Sequence, residues 1–401
     1  MVKIMVLLIA GLMAMAGNVS AAGFRLAEQD AKANGMGNAA VAVVDNPSAV
    51  WYNPAAITGL EGTNLSLGSV MVAPVMEHTN TNGTIDRIEK TVHIPPHFYA
   101  TRKLNNKFSL GLGVNAPFGL STEWDKTDAL TKTVATKSEI QAIYTNLNAA
   151  YKVNEKLSVA AGASFVKLDA TMNKMINATN EQTLEGDGTG TGYNLAAKYK
   201  WNKWQFGASY RSKVKIDVDG KIDLPIAGIT NRDASTKITL PDTFQLGASH
   251  QCLENWLFTV EADYTNWTTY RKLVIDYTKD SGAAGQSTDF KNWTSVWAFR
   301  LGSEYKVNEA WKFRMGAFYD VNPVKEARFE TRVPDSDRVA FSVGTGYTRG
   351  DITVDVSYLY LKFLERRIGS SMGSGTTVNT AINGKYASVA RLPAITVGYK
   401  F

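Results

Sequence analysis

The chain ends Arg391-Leu392-Pro393-Ala394-Ile395-Thr396-Val397-Gly398-Tyr399-Lys400-Phe401, and from Ile395 on every second residue is apolar. A period of two marks a strand with one greasy face and one small or polar face. A strand that stops on an aromatic carboxyl terminus leaves an unpaired edge, which soluble proteins avoid. A closed barrel removes that edge by pairing its last strand with its first. Tyr399 and Phe401 are therefore read as closing a barrel whose apolar face meets lipid. A sandwich strand would give the same local pattern, so the decision falls to the rest of the chain.

Going backward, the alternation persists to Gly62. It is clear in Phe108/Leu110/Leu112/Val114, Trp204/Phe206/Ala208/Tyr210, Phe258/Val260/Ala262/Tyr264 and Ile352/Val354/Val356/Tyr358/Tyr360. The intervening positions carry Gln205, Ser209, Glu261 and Asp263, charges that suit a wet lumen better than a dry core. The pattern predicts strands near 64–72, 91–104, 107–116, 137–151, 156–168, 191–201, 204–218, 236–251, 255–275, 288–306, 310–321, 338–349, 351–367 and 383–401. Fourteen is an even number, as bacterial outer-membrane barrels have. Connections alternate in length. The short ones include 104–107, 152–155, 306–309 and 349–351, and Lys-Val-Asn-Glu recurs at 152–155 and 306–309. The long ones are 73–90, 117–136, 169–190, 219–235, 276–287, 322–337 and 368–382. Short periplasmic turns and long outer loops are the asymmetry of such barrels. Trp201, Trp204, Trp256 and Trp311 all lie at short turns, where a membrane interface belongs. Trp256 and Tyr264 share a face and bracket roughly 20 Å of bilayer at a strand rise of about 3.3 Å and a tilt of about 40°.

The N-terminus supplies the export signal. Lys3 precedes an apolar run to Ala16, and Val19-Ser20-Ala21 has small residues where a signal peptidase reads. Residues 1–21 are read as a signal peptide, with Ala22 as the mature start. No later run of about 18 apolar residues offers a transmembrane helix. Residues 22–62 do not alternate. Asp45-Asn46-Pro47-Ser48 and Asn53-Pro54-Ala55 are turn or helix-start signals, since Asn caps helices and Pro fits the first turn. These forty-one residues, with Asn46, Pro47, Asn53 and Pro54 at their turns, are expected to fold as a hatch in the lumen, and 63–401 as the barrel.

Composition narrows the classes. There are 43 basic and 37 acidic residues, spread evenly, which is no case for nucleic acid. Cys252 is the single cysteine, so no internal disulfide forms. His78, His93, His97 and His250 lie in no nucleophile setting, and no metal spacing, phosphate loop or dinucleotide fingerprint appears. Neither an enzyme nor a cofactor or metal protein is expected, and a hydrolase is the weaker of two rivals. The nearer rival is a general diffusion porin, which has no need of residues 22–62.

Several stretches resemble the FadL/TodX family of outer-membrane transporters for long-chain fatty acids and aromatic hydrocarbons. They are Ala22-Gly23-Phe24-Arg25-Leu26, Asn53-Pro54-Ala55, Asn115-Ala116-Pro117-Phe118-Gly119-Leu120, Leu240-Pro241-Asp242, Leu301 through Asn308, and Val333-Pro334-Asp335-Ser336-Asp337-Arg338. They follow in order through the mature chain. The resemblance implies a fourteen-strand barrel with a hatch, passive uptake of hydrophobic small molecules, and a lateral exit at an inward kink in the third strand. It places the kink at Asn115, Pro117, Phe118 and Gly119, where proline removes a ladder donor and glycine permits a bend; ending the strand is the plainer role for Pro117. The resemblance also implies ligand contact at Phe24. By parity Arg300 and Arg314 face the lumen, with Lys291 nearby, to hold a carboxylate or to pair with Glu261, Asp263 or Glu304. Leu130, Met172 and Met175, with Trp124, are candidates for an external apolar groove. The expected setting is the outer membrane of a Gram-negative bacterium. The expected partners are its lipid, lipopolysaccharide and barrel-assembly machinery, and the expected state is a monomer. Oleate and toluene fit equally.

Overall fold

A computed structural model describes residues 23–277 and 285–401. The signal-peptide reading of residues 1–21, the start at Ala22 and part of the 276–287 connection lie outside them. Among the described residues the extended segments join into one closed antiparallel barrel of fourteen strands. The strands are β1 (Thr63–Val70 and Ala73–Asn80), β2 (Ile85–Arg87 and Pro96–Lys103), β3 (Phe108–Glu123), β4 (Lys137–Lys152), β5 (Leu157–Met172), β6 (Glu181–Trp201) and β7 (Trp204–Arg211 and Val214–Leu224). They continue as β8 (Ile229–Leu240 and Thr243–Leu253), β9 (Trp256–Thr265 and Lys272–Asp276), β10 (Gln286–Phe290 and Val296–Lys306), β11 (Trp311–Asp320), β12 (Arg338–Arg349), β13 (Ile352–Ile368) and β14 (Gly384–Lys400). Closure is where the terminal pattern put it. Tyr399 stands opposite Leu65 of β1, and the Phe401 amide donates to the Thr63 carbonyl at 2.8 Å.

Alternation sorts the two faces. Leu67, Leu147, Phe165, Met315, Phe341 and Val343 point outward and are exposed, a continuous apolar surface that only a bilayer would cover. Trp201, Trp204, Trp256 and Trp311 are exposed at the short-turn rim, where Trp256 packs edge-on against Tyr305 and Trp311 lies 4.7 Å from Tyr347. They are the interfacial girdle of such a barrel.

The differences from the sequence reading lie in the long-loop half. Residues 73–80 continue β1, although Pro74 and a polar run hide it. β6 begins at Glu181 and not near 191, because Gly186, Gly188 and Gly190 face the lumen against Val218, Ile216 and Val214 and leave no apolar signal of their own. β3 does not end at Pro117 but runs on to Glu123. β7, β8, β9 and β10 are each broken once, at 212–213, 241–242, 266–271 and 291–295.

The segment from Gly23 to Glu61 lies against inward-facing wall side chains. Asp30 caps a short helix, α1 (Ala31–Gly35), by accepting from the Ala33 amide at 3.2 Å. Asn46 accepts from the Ser48 amide and hydroxyl ahead of α2 (Ala49–Tyr52), so it makes an Asx turn and leaves the cap position to Ser48. Asn53 caps a 3-10 turn (Pro54–Gly59) with Pro54 at its first position, as expected. The wall satisfies the segment's amides: Ala31 donates to Thr396 Oγ1 (3.0 Å), Gly37 to Ser342 Oγ (2.9 Å) and Val41 to Glu261 Oε2 (2.7 Å). Wall glycines admit its backbone. A Cβ on Gly316 would stand 2.1 Å from the Gly37 nitrogen, and one on Gly207 2.1 Å from the Val41 oxygen.

Candidate functional site

The site begins with the chemistry of Pro117. With no N–H to give, it sits in a bulge where the β3–β4 register slips between Asn115 and Phe118. On its other side β3 pairs with β2 only up to Val114 opposite Phe98. Beyond that point residues of the β2 break turn away: His93 exchanges backbone bonds with Val72, in the break between the two parts of β1, at 2.7 and 3.0 Å. The wall is rejoined higher up by Glu89 donating to the Glu123 carbonyl at 2.8 Å. Between these points the β3 edge is taken by the N-terminus. Leu26 donates to the Pro117 carbonyl (2.8 Å), Gly119 donates to the Phe24 carbonyl (3.0 Å), and Arg25 stands opposite Phe118. Asn115 completes the junction, donating to Gln29 Oε1 at 3.0 Å and accepting from Asn146 at 3.0 Å.

Phe24 is 2% exposed. Its ring lies 4.7 Å from Trp267, 5.8 Å from Trp293, 5.9 Å from Tyr270 and 6.2 Å from Phe118. The breaks in β9 and β10 are what let Trp267, Tyr270 and Trp293 fold inward to meet it; edge-to-face contacts of this kind add about 0.5–1.5 kcal/mol per pair beyond burial. Beside this cluster is a cavity of about 390 Å³ that Phe24, Leu26, Phe118, Phe318, Leu361 and Leu392 line on the inside. It extends through the wall break to Val92, Ile94 and Pro95, of which Val92 and Ile94 are each 55% exposed. A larger hollow of about 840 Å³ is bordered by outward Phe206, Leu246, Val260 and Leu301; it shares Phe318 with the inner cavity, but Phe24 is not in its lining.

The polar end of the inner cavity is Glu28, Asp320, Asp335 and Arg338. Arg338 lies over the Phe363 ring with its Nη2 ion-paired to Asp320 Oδ2 at 3.4 Å, outside hydrogen-bond geometry, and its Nε has no acceptor. Asp335 accepts from the Gly23 amide at 2.7 Å, and burial pushes its carboxyl up from 3.8 to about 6. Burial likewise raises Glu28. Arg25 ties the N-terminus to the far wall through Asp263 and Thr265, both at 3.2 Å.

The residues chosen by parity are elsewhere. Arg300 is 2% exposed and bonded to Asp263 at 3.0 Å; Arg314 is bonded to Glu304 at 2.7 Å and Asp355 at 2.6 Å. Lys291 is buried on Glu330. None of the three lines the inner cavity; each is held by carboxylates, the other outcome the sequence left open. The outer-groove candidates do not converge either. Leu130 is exposed at the start of a 3-10 turn (Leu130–Thr133), Met175 is buried, and Met172 borders a hollow of about 30 Å³ with Leu184 and Leu273. Trp124 is buried with its indole donating to the Thr331 carbonyl at 3.0 Å. Arg338 and the cage of Trp267, Tyr270 and Trp293 escaped the sequence reading. The cage had one signal, three aromatics placed where strand alternation lapses.

A family model described as Outer membrane protein transport protein (OMPP1/FadL/TodX) matches residues 12–401. The chain is 28% identical over 464 residues to outer membrane protein P1 of Haemophilus influenzae, covering 98% of each. It is 28% identical over 399 residues to the long-chain fatty acid transport protein of Escherichia coli, covering 85% of this chain and 86% of that one. Among solved structures, a Pseudomonas aeruginosa FadL homologue superposes with a TM-score of 0.82 at 18% identity, over 95% of this chain and 100% of that one. The Ralstonia pickettii toluene transporter TbuX does so with 0.71 at 17%, over 96% and 99%. Closure by β14, the fourteen strands and a match along nearly the whole chain agree: the protein belongs to the OMPP1/FadL/TodX family and is a multi-pass barrel of the Gram-negative outer membrane.

Proposed function

We propose that the protein lets hydrophobic compounds, long-chain fatty acids or aromatic hydrocarbons, cross the outer membrane passively and leave sideways into the bilayer. One observation carries this reading: the apolar cavity against Phe24 meets the stretch of β3 whose wall partner has been replaced by the N-terminus. The related proteins named for fatty acid and toluene transport support the substrate class.

In this reading residues 23–62 are the hatch that keeps water and polar solutes from the lumen. A ligand arriving from the long-loop side gains binding energy by burying apolar surface on Phe24, Phe118 and Leu361, roughly 25 cal/mol per Å². Strand-like pairing of Phe24–Leu26 with β3 involves two backbone bonds, few enough to open and close with ligand traffic. When it opens, the path to Val92 and Ile94 runs beside Pro117, and the ligand passes to acyl chains without entering water. Nothing in this route needs an energy source or a chemical step. For a fatty acid, the guanidinium of Arg338, whose Nε lacks an acceptor and whose Nη2 meets only Asp320, is the head-group anchor.

The test is uptake of oleate and of toluene by a host lacking its own transporter. Pro117→Val with Gly119→Thr restores a regular β3 edge and is expected to abolish uptake while the heat-stable barrel still forms. Uptake at the parental rate by that variant would sink the lateral route. A general diffusion porin would instead show large single-channel conductance with the hatch in place, and little is expected here.

A further inference from the structure

The outer wall carries a second feature that the transport route does not use. β7 is broken at Ser212–Lys213, where Ser212 and Tyr193 of β6 exchange two bonds at 2.9 Å. The break changes which residues face outward. Below it Trp204, Phe206, Ala208 and Tyr210 belong to the apolar band; above it Lys215 and Asp217 point out. Lys213 and Lys215 thereby stand beyond Tyr193 and Tyr210 of that band, whose rings lie 6.0 Å apart, at the level of Phe165 opposite Thr191. With Phe165, Thr189, Gly190 and Thr191 they border a shallow groove of about 490 Å³.

Other outward charges nearby neutralise each other: Lys167 with Asp169 at 3.5 Å, and Lys237 with Asp217 at 2.7 Å. Asp187 and Asp219 face each other one step farther out. Among the described residues no carboxylate pairs with Lys213 or Lys215. Two free ammonium groups, two threonine hydroxyls and an aromatic floor thus sit at the level where outer-leaflet head groups meet the acyl region. Charge and depth together select an anionic head group attached to hydrocarbon.

We propose that this groove on β5–β7 binds a phosphate group of an outer-leaflet glycolipid, with Lys213 and Lys215 as the phosphate ligands and Phe165 and Tyr193 against the first acyl carbons. Ammonium–phosphate contacts at a membrane surface are worth enough each that losing both weakens retention about 30-fold. The site is independent of the lateral route, so failure of either leaves the other standing.

The experiment is native mass spectrometry of the full-length mature protein in detergent, titrated with bisphosphorylated lipid A and with the same lipid A after removal of its phosphates. Lys213→Ala with Lys215→Ala is compared with Lys200→Ala with Lys203→Ala, two lysines exposed at the opposite rim. The expected result is about 30-fold weaker binding of the bisphosphorylated form by the first variant alone, and equally weak binding of the dephosphorylated form by all. Heat-modifiable mobility on gels confirms that each variant is a folded barrel. Equal retention by both variants, retention indifferent to the phosphates, or full displacement by millimolar inorganic phosphate would overturn the proposal.

Discussion

Arg25 is the most exacting test of how the N-terminus is held on β3. Its guanidinium makes two contacts with the far wall, to Asp263 and Thr265, each at 3.2 Å. Hydrogen bonds to charged groups contribute about 1.5–3 kcal/mol each, but these are long, and Asp263 keeps Arg300 at 3.0 Å when Arg25 is gone. No buried charge is left unpaired, so the loss in Arg25→Ala belongs at the lower end, about 2 kcal/mol in all. If that energy holds Phe24–Leu26 against Pro117 and Gly119, the detached population rises about 30-fold. Amide hydrogen exchange read by mass spectrometry measures this directly. The Leu26 and Gly119 amides, which donate across the junction, are expected to exchange about 30-fold faster. Amides of β11 and β12 should be unaffected, and Arg25→Lys should recover part of the protection. Acceleration spread over the whole barrel, or none at Leu26 and Gly119, would refute the idea that Arg25 is a local latch.

Three further outcomes follow from the same geometry. Arg338→Leu is expected to cut oleate uptake about tenfold while sparing toluene, since only the carboxylate needs its guanidinium charge and open Nε donor; parallel losses would remove Arg338 from head-group recognition. Asp335 has a folded-state carboxyl pKa of about 6 against an ordinary 3.8, so the fold binds its proton more tightly than the unfolded chain does. Its contribution to stability therefore grows as pH falls through 6 and is fully present below 3.8. Between pH 7 and 5 the wild type should gain about 1 kcal/mol relative to Asp335→Asn in thermal unfolding, and identical pH profiles would contradict this. Deleting Phe401 removes the amide bond to Thr63 and an exposed ring set edge-on to Tyr399 at 4.6 Å, and a smaller folded fraction during assembly is the expected readout on heat-modifiable gels.

Much of the barrel was legible because a lipid-facing strand must alternate. Phe258 to Tyr264 and Ile352 to Tyr360 could be read as strands with one face named residue by residue. The pattern failed where side chains stop reporting the pleat. The first half of β6 alternates glycine with polar residues, and its packing partners are Ile216 and Val218 on the next strand. Pro117 illustrates a different limit. Proline forbids one ladder bond but not the strand, and β3 continues because the missing partner lies ninety residues away in the N-terminus. The site was legible at Phe24 and Pro117 only through resemblance. Parity found Arg300 and Arg314 facing inward but could not tell that Asp263, Glu304 and Asp355 would engage them. It passed over Arg338, which unlike those two lines the inner cavity.

The glycines of the wall carry an implication for how the molecule is put together. Gly316 and Gly207 touch the main chain of residues 37 and 41 with no space for a methyl group between them. A finished cylinder could not be threaded by a segment that fits so tightly. Residues 23–62 must be seated while the sheet is still open, so the last seam, Tyr399 against Leu65, locks the contents in place as it zips.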